Sequence, residues 1–391
     1  MTDDTRRGTG SDEAAAAAAA QGDADAEADA QAETEAEATT AATVAEPSAP
    51  RARRGRDADA IPSRRERSVP HAGWMVVSGK EFADHLWSAR FVVLLLVLGV
   101  AALIPMYFTA DAIRDAASQI TDRSSLFLSM FAFAPTVGDT GVRIPAAADF
   151  VAIVGPLLGI AFAFDAVNGE RARGTLPRLL SQPIHRDDVI NGKFAAGLAI
   201  IGLVLTFIVA AIAVFGIIRL GIAPTAEEVL RLAIWLLFSY AYIAIWLAFG
   251  LLLSVLARSA ATSALIGFGV WVLLTIFGGA ITQVLGGFLA PRVGTLDQQA
   301  AALSFQQTIT RLLPDTLYRE ATLALLNPQV AAISNPTTIG GFDQAGQRIA
   351  SLQSFGQSVQ LVWPHMVTMI AISVAFFALA YVRFMRQEVR A

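Results

Sequence analysis

The sequence predicts an all-α membrane protein with six transmembrane helices, both termini cytoplasmic, and a disordered N-terminal tail. Three observations carry that expectation. Of 391 residues, 54% are apolar and only 16% charged, with a mean hydropathy of +0.53. A soluble globular chain sits at roughly 45–50% apolar and about 25% charged, so a soluble enzyme is excluded. The apolar excess falls into six separate stretches, most of them 18 residues or longer. Basic residues crowd one set of flanks of those stretches.

The formal charge of −4 hides two parts of opposite sign. Residues 1–50 hold 12 Asp and Glu against 2 Arg, so the other 341 carry 27 basic and 21 acidic residues, a net +6. Residues 11–47 are almost all Ala, Asp, Glu, Gln and Thr, with no aromatic. Such a segment cannot bury enough apolar surface to offset its ordering entropy, so disorder is expected. The charge then reverses between Arg51 and Arg67. Beside a membrane domain, that Arg cluster reads as a cytoplasmic flank for anionic lipid headgroups, not as a nucleic-acid site. Residues 1–70 are therefore an acidic, then Arg-rich, tail, and residues 71–391 the membrane domain. No apolar core segment follows the N-terminal charges, so no signal peptide is expected. Cysteine is absent, which excludes disulfides and thiolate metal sites.

About 20 apolar residues at 1.5 Å each cross the roughly 30 Å hydrocarbon layer. The predicted spans are Phe91–Phe108, Phe150–Val167, Phe194–Ile218, Leu232–Leu256, Ala260–Leu289 and Leu361–Val382. The fifth is long enough to tilt, or to break at Gly278-Gly279. One set of flanks holds 14 basic residues, among them Lys80, Arg90, Arg171, Arg186, Lys193 and Arg258, against 9 in the longer opposite loops. The positive-inside rule places the richer side, with both termini, in the cytoplasm. The outer loops are then 109–149, 219–231 and 290–360. In the first, Leu126–Ala134 is too short to span and greasy enough to dip into the interface. In the last, Ser304–Leu313 and Asp315–Leu326 read as helices separated by Pro314. Trp74 and Trp87 read as membrane-surface anchors, and Gly267, Gly269, Gly278 and Gly279 as points of close helix approach.

Apart from Asp165 at the inner end of the second, the six spans contain no Asp, Glu, Lys or Arg. Ion-driven carriers use such groups at mid-membrane, so a self-sufficient secondary carrier is disfavoured. Gly79-Lys80 and Gly192-Lys193 lack the remainder of a P-loop, and no metalloprotease helix or nucleophile elbow is present. The chain is expected not to be an enzyme by itself. A secondary carrier and a non-transporting scaffold or sensor stand as the alternatives to a transporter subunit driven by a partner.

The densest pattern lies in loop 168–193. Gly174 permits a turn, Thr175 can cap a short helix, and Pro177 suits its first turn. Leu176, Leu179 and Leu180 would share one apolar face, and Pro183 would end the helix. The run Glu170-Arg171, Gly174-Thr175-Leu176, Leu179-Leu180, Pro183, Arg186, Gly192-Lys193 resembles the first cytoplasmic loop of ABC-2-type transporter permeases. Lys80-Glu81-Phe82 through Arg90-Phe91 resembles the interfacial helix, here 74–90, that leads into their first span. Leu251 to Thr262 resembles the tight turn between their fourth and fifth spans. The likeness covers roughly Trp74 to Arg390 and is similar to the permeases of the copper-enzyme-maturation (Nos-type) group.

That resemblance implies a type V exporter-like bundle in the plasma membrane. It further implies a second permease subunit, as homo- or heterodimer, and two ATP-binding subunits that hold the ATP and Mg, with no cofactor on this chain. On this reading Leu176, Leu179 and Leu180 enter a cleft of the ATPase. Glu170 and Arg171 lock the base of the second span or pair across the interface. Gly174 and Thr175 set the turn, while Arg186 and Lys193 meet either ATPase acids or lipid phosphate. Ser239, Tyr240, Tyr242 and Thr275 are candidates for a substrate path, with span-to-span hydrogen bonding as the alternative. His365, Met366 and Met369 offer soft ligands of the kind that suit Cu(I), and Met is also common filler in apolar helices.

Overall fold

A computed structural model describes residues 73–117, 126–132, 134, 136–137, 142–176, 184–221, 223–289, 296–327 and 354–387. The tail expected over 1–70 lies outside these residues, as do Leu179, Leu180 and Pro183. In chain order the helices are α1 (Gly73–Leu86), α2 (Ala89–Ala117), α3 (Leu126–Ala132), α4 (Ala147–Ala163), α5 (Asn168–Ala172), α6 (Arg186–Leu220), α7 (Ala226–Leu256), α8 (Ala260–Leu289), α9 (Leu296–Thr310), α10 (Pro314–Leu326) and α11 (Phe355–Met385). A short antiparallel pair, β1 (Thr136–Val137) and β2 (Val142–Arg143), lies between α3 and α4, with Thr136 opposite Arg143. Six stretches are long and apolar enough to cross a membrane, in α2, α4 with α5, α6, α7, α8 and α11.

Polar caps carry several helices past the apolar stretches. The Ser88 hydroxyl accepts the Phe91 N–H at 3.2 Å, so α1 ends and α2 begins at Trp87-Ser88. Thr225 and Glu228 form a reciprocal capping box that starts α7 at Ala226, a turn and a half before the first apolar residue expected of it. That extension takes Arg231 out of the predicted outer loop. Its side chain, 2% exposed, meets Glu227 at 2.8 Å and donates to the Ser358 hydroxyl at 2.9 Å, pinning α7 to α11.

The helix α7 is the centre of the bundle: 72% of its span is buried, against 11% for α8. α4 lies tightly against it. A Cβ on Gly159 would stand 2.8 Å from both the Ile243 carbonyl oxygen and the Leu247 nitrogen, so only glycine lets these backbones meet. Pro156 lies inside α4 and has no N–H to give the carbonyl of Ala152, four residues back. Tyr242 on α7 repairs the defect, donating its hydroxyl to that carbonyl at 2.9 Å. The Tyr242 ring stacks on Tyr318 of α10 with centroids 4.7 Å apart.

One expectation is corrected, and one of the two alternatives for the fifth span falls away. In the stretch expected to dip into the interface, Phe127, Leu128, Met130 and Phe131 of α3 are buried in the core, and the Phe131 ring lies 5.8 Å from that of Trp235. α8 does not break at Gly278-Gly279. The Leu313 side chain packs over Gly278, and α8 runs on to Leu289.

Tyr242→Phe keeps the stacked ring and removes the donor, leaving the Ala152 carbonyl buried and unsatisfied. The expected cost is about 1–3 kcal/mol, seen as a lower Tm of the detergent-solubilised protein. An unchanged Tm would show that the carbonyl finds another partner.

Candidate functional site

The loop singled out in the sequence emerges from the end of the bundle where α1, α5 and the start of α6 meet. α1 and α6 touch at backbone distance. A Cβ on Gly192 would stand 2.6 Å from the Val77 Cβ and 2.9 Å from the Trp74 carbonyl oxygen. Asp188 joins the two helix starts: its carboxylate accepts the His185 N–H at 3.1 Å and the Trp74 N–H at 3.0 Å. Both bonds place negative charge where a helix N-terminus favours it.

One residue past that glycine, Lys193 extends into the junction. Its ammonium donates to Glu170 Oε1 at 2.8 Å and to Glu81 Oε1 at 3.0 Å. The Lys193 side chain is 3% exposed and the carboxylates 12% and 14%. Burying an ammonium costs several kcal/mol unless good partners surround it, and here two carboxylates do. They also leave excess negative charge, and Glu170 Oε2 is buried without a partner among the described residues. Lys80, 3.9 Å from Glu81, adds positive charge at the rim. Its hydrogen bond to Asp84, at 3.0 Å, raises its pKa and holds it charged. Three segments distant in the chain are thus tied through one nitrogen.

The elbow between α4 and α5 is held from α7. The Ser254 hydroxyl accepts the N–H groups of Val167 and Asn168 at 2.9 and 3.2 Å, and the Asn168 side chain donates to the Ser259 carbonyl at 3.1 Å. At the chain's other end, Gln387 gathers three elements. Its side-chain oxygen accepts from Arg171, its amide donates to the Val255 carbonyl at 2.8 Å, and its backbone carbonyl accepts from Arg186 at 3.3 Å.

Of the residues read from the sequence, Glu170, Arg171 and Arg186 are brought into this junction. Gly174 takes the left-handed conformation at φ +68°, which suits the expected turn, and Thr175 donates to the Glu170 carbonyl at 3.3 Å. Leu176 is only 2% exposed, so in this conformation it packs within the chain and presents no free apolar surface. Lys193, expected to meet ATPase acids or lipid phosphate, is committed internally to Glu170 and Glu81. The path candidates are not gathered around one opening. Ser239 is buried and donates to the Trp235 carbonyl at 2.9 Å, Tyr242 serves Ala152, Tyr240 is half-buried, and Thr275 is exposed on α8. His365 faces Glu320 at 2.7 Å, and no cluster of metal-ligating side chains occurs among the described residues.

Sequence reasoning missed the roles of Glu81, Asp188, Ser254 and Gln387. One signal pointed at the junction: 27 of 29 basic residues are Arg, and Lys survives only at positions 80 and 193. A compact ammonium can meet both carboxylates through one nitrogen, as Lys193 does here.

The fold and this junction define a multi-pass, predominantly helical membrane protein with a built polar cluster at one end of the bundle. The family model described as ABC-2 family transporter protein matches residues 75–389, and the chain belongs to that family. It is also similar to the probable ABC transporter permease protein NosY of Stutzerimonas stutzeri, 32% identical over 127 residues. That stretch is 31% of this chain and 44% of the relative, so the match spans less than half of the relative's length.

Lys193→Met leaves two carboxylates buried together without their cation. The expected loss is about 3–5 kcal/mol, read as a lower Tm in detergent, and adding Glu81→Gln and Glu170→Gln should recover part of it. A single variant that melts like the unaltered chain would contradict a structural role for the cluster.

Proposed function

We propose that this chain is the membrane-spanning permease subunit of an ATP-binding cassette transporter, moving its substrate with ATP hydrolysed by a separate subunit. The observation that carries the reading is the Lys193 cluster at the root of loop 168–193. A force applied to the loop would act at once on α1, α5 and α6, because one buried ammonium holds all three. Family membership and the six spans support the same conclusion.

On this reading the junction end of the bundle, with both termini, faces the cytoplasm of a cell whose plasma membrane the protein spans. Two ATP-binding subunits, which carry the ATP and Mg, grip the loops of a homo- or heterodimer of permeases. Leu179 and Leu180 supply the apolar contact, Gly174 and Thr175 set the turn, and Pro183 ends the short helix. Leu176 anchors the loop inwardly, and Arg171 and Arg186 brace it against Gln387. Glu170 fixes the loop to the span. The acidic, then Arg-rich, tail of residues 1–70 precedes the stretch that matches the family, residues 75–389.

The test is to capture the tagged protein from gently solubilised native membranes and to assay for an ATP-binding subunit and vanadate-sensitive ATP hydrolysis. A stoichiometric ATPase partner is expected, lost with Leu179→Asp while membrane insertion is unchanged. An intact chain with neither partner nor hydrolysis would overturn the proposal.

A further inference from the structure

A cavity of about 490 Å³ lies at the end of the bundle remote from the Lys193 junction, among the start of α4, the end of α8, α9 and α10. It is large enough for a small molecule, since ligand pockets run from roughly 300 to 1,000 Å³.

The charges on its wall are already committed. Arg319 donates through Nε to both Asp315 oxygens, at 3.0 and 2.9 Å, and through Nη1 to Asp149 at 2.9 Å. Burial works against the charged guanidinium, but Asp315 and Asp149 outweigh it and raise its pKa. Glu320 accepts from Arg311 at 2.9 Å and faces His365 at 2.7 Å. Asp149, Glu320 and Arg319 line the cavity, so two carboxylates oppose one guanidinium and an anion is disfavoured. Three of the four lining threonines are engaged as well: Thr282 donates to the Gly279 carbonyl, Thr310 to that of Gln306, and Thr322 accepts from Trp235.

What stays available is the Thr316 hydroxyl and the carboxamides of half-buried Gln306 and of Gln283 and Gln307 on the exposed rim, which make no hydrogen bond to other described residues. A carboxamide donates and accepts without net charge, and so matches a hydroxyl or a peptide group. The walls between them are small, from Ala132, Ala146 and Ala148, and the one lining aromatic, Tyr318, is buried against Tyr242. Leu323 adds one larger apolar side chain, and no exposed ring is offered to a flat aromatic compound.

We propose that this cavity binds a small uncharged or zwitterionic solute dense in groups that both donate and accept hydrogen bonds, held by Gln283, Gln306 and Gln307. A neutral sugar and a short peptide share that chemistry. The site needs no ATPase, so its test stands apart from the permease reading.

The test is equilibrium dialysis of the purified full chain in detergent against labelled trehalose, triglycine and citrate. Saturable binding of trehalose, of triglycine, or of both is expected, and which probe binds assigns the solute as polyol or peptide. Gln306→Leu with Gln307→Leu should weaken that binding about tenfold or more, two lost hydrogen bonds. Gln360→Leu, exposed on α11 and outside the cavity, should leave it unchanged. Retained helicity by circular dichroism shows that the double variant is folded. Binding of neither neutral probe, equal binding of citrate, or full binding by the folded double variant would each overturn the proposal.

Discussion

The buried ammonium of Lys193 is the constraint on which the junction end of the molecule depends. An ammonium that is 3% exposed is tolerable only if its partners stay in place. Those partners come from α1, 112 residues earlier, and from α5, 23 residues earlier. Gly192 has to lack a side chain so that α1 can come close enough for Glu81 to reach. Ser254 has to accept two backbone N–H groups so that the α4–α5 elbow can turn Glu170 inward. The backbone contact at Gly159 and the Tyr242 bond to the carbonyl freed by Pro156 keep α4 on α7, which sets where that elbow stands.

The two ends of the bundle are joined through α7. Near one end Ser254 and Val255 hold the junction, and towards the other Trp235 donates to Thr322 at 3.0 Å on the wall of the remote cavity. Tyr242 and Tyr318 stack between. On the proposed reading, a loop driven by ATP at one end has a continuous packed element leading to a polar cavity at the other. Continuity of packing gives coupling between them a physical route.

Much of the fold was legible because hydrophobic length is a local property. All six spans appear, and the break at Pro314 falls between α9 and α10 as the proline requires. The polar beginnings of helices were harder to read. α6 starts at Arg186, eight residues before the apolar run, because Asp188 and the α1 contact stabilise a polar turn that hydropathy passes over. α3 read as interfacial because its greasiness is local, whereas the core that buries it is assembled from other segments. The site divided the same way. Glu170, Arg171 and Arg186 stood out through a contiguous pattern, while Glu81 and Gln387 reach the junction only through contacts across more than 100 residues. Lys193 was visible as a basic residue, and its partners were not.

The central claim is that α1, α5 and α6 form one body at the root of the loop. The chain has no cysteine, so paired spin labels can be placed without removing any native residue. Labels at Gly79, where an added side chain meets nothing, and at exposed Ala172 would report the α1–α5 distance by pulsed electron resonance. On the proposed reading, the comparison is between the nucleotide-free complex with an ATP-binding subunit and the vanadate-trapped one. The account predicts a narrow distance distribution that is the same in both states and broadens when Lys193→Met is introduced. A distance that changes on trapping in the unaltered cluster, or one indifferent to the loss of Lys193, would contradict it.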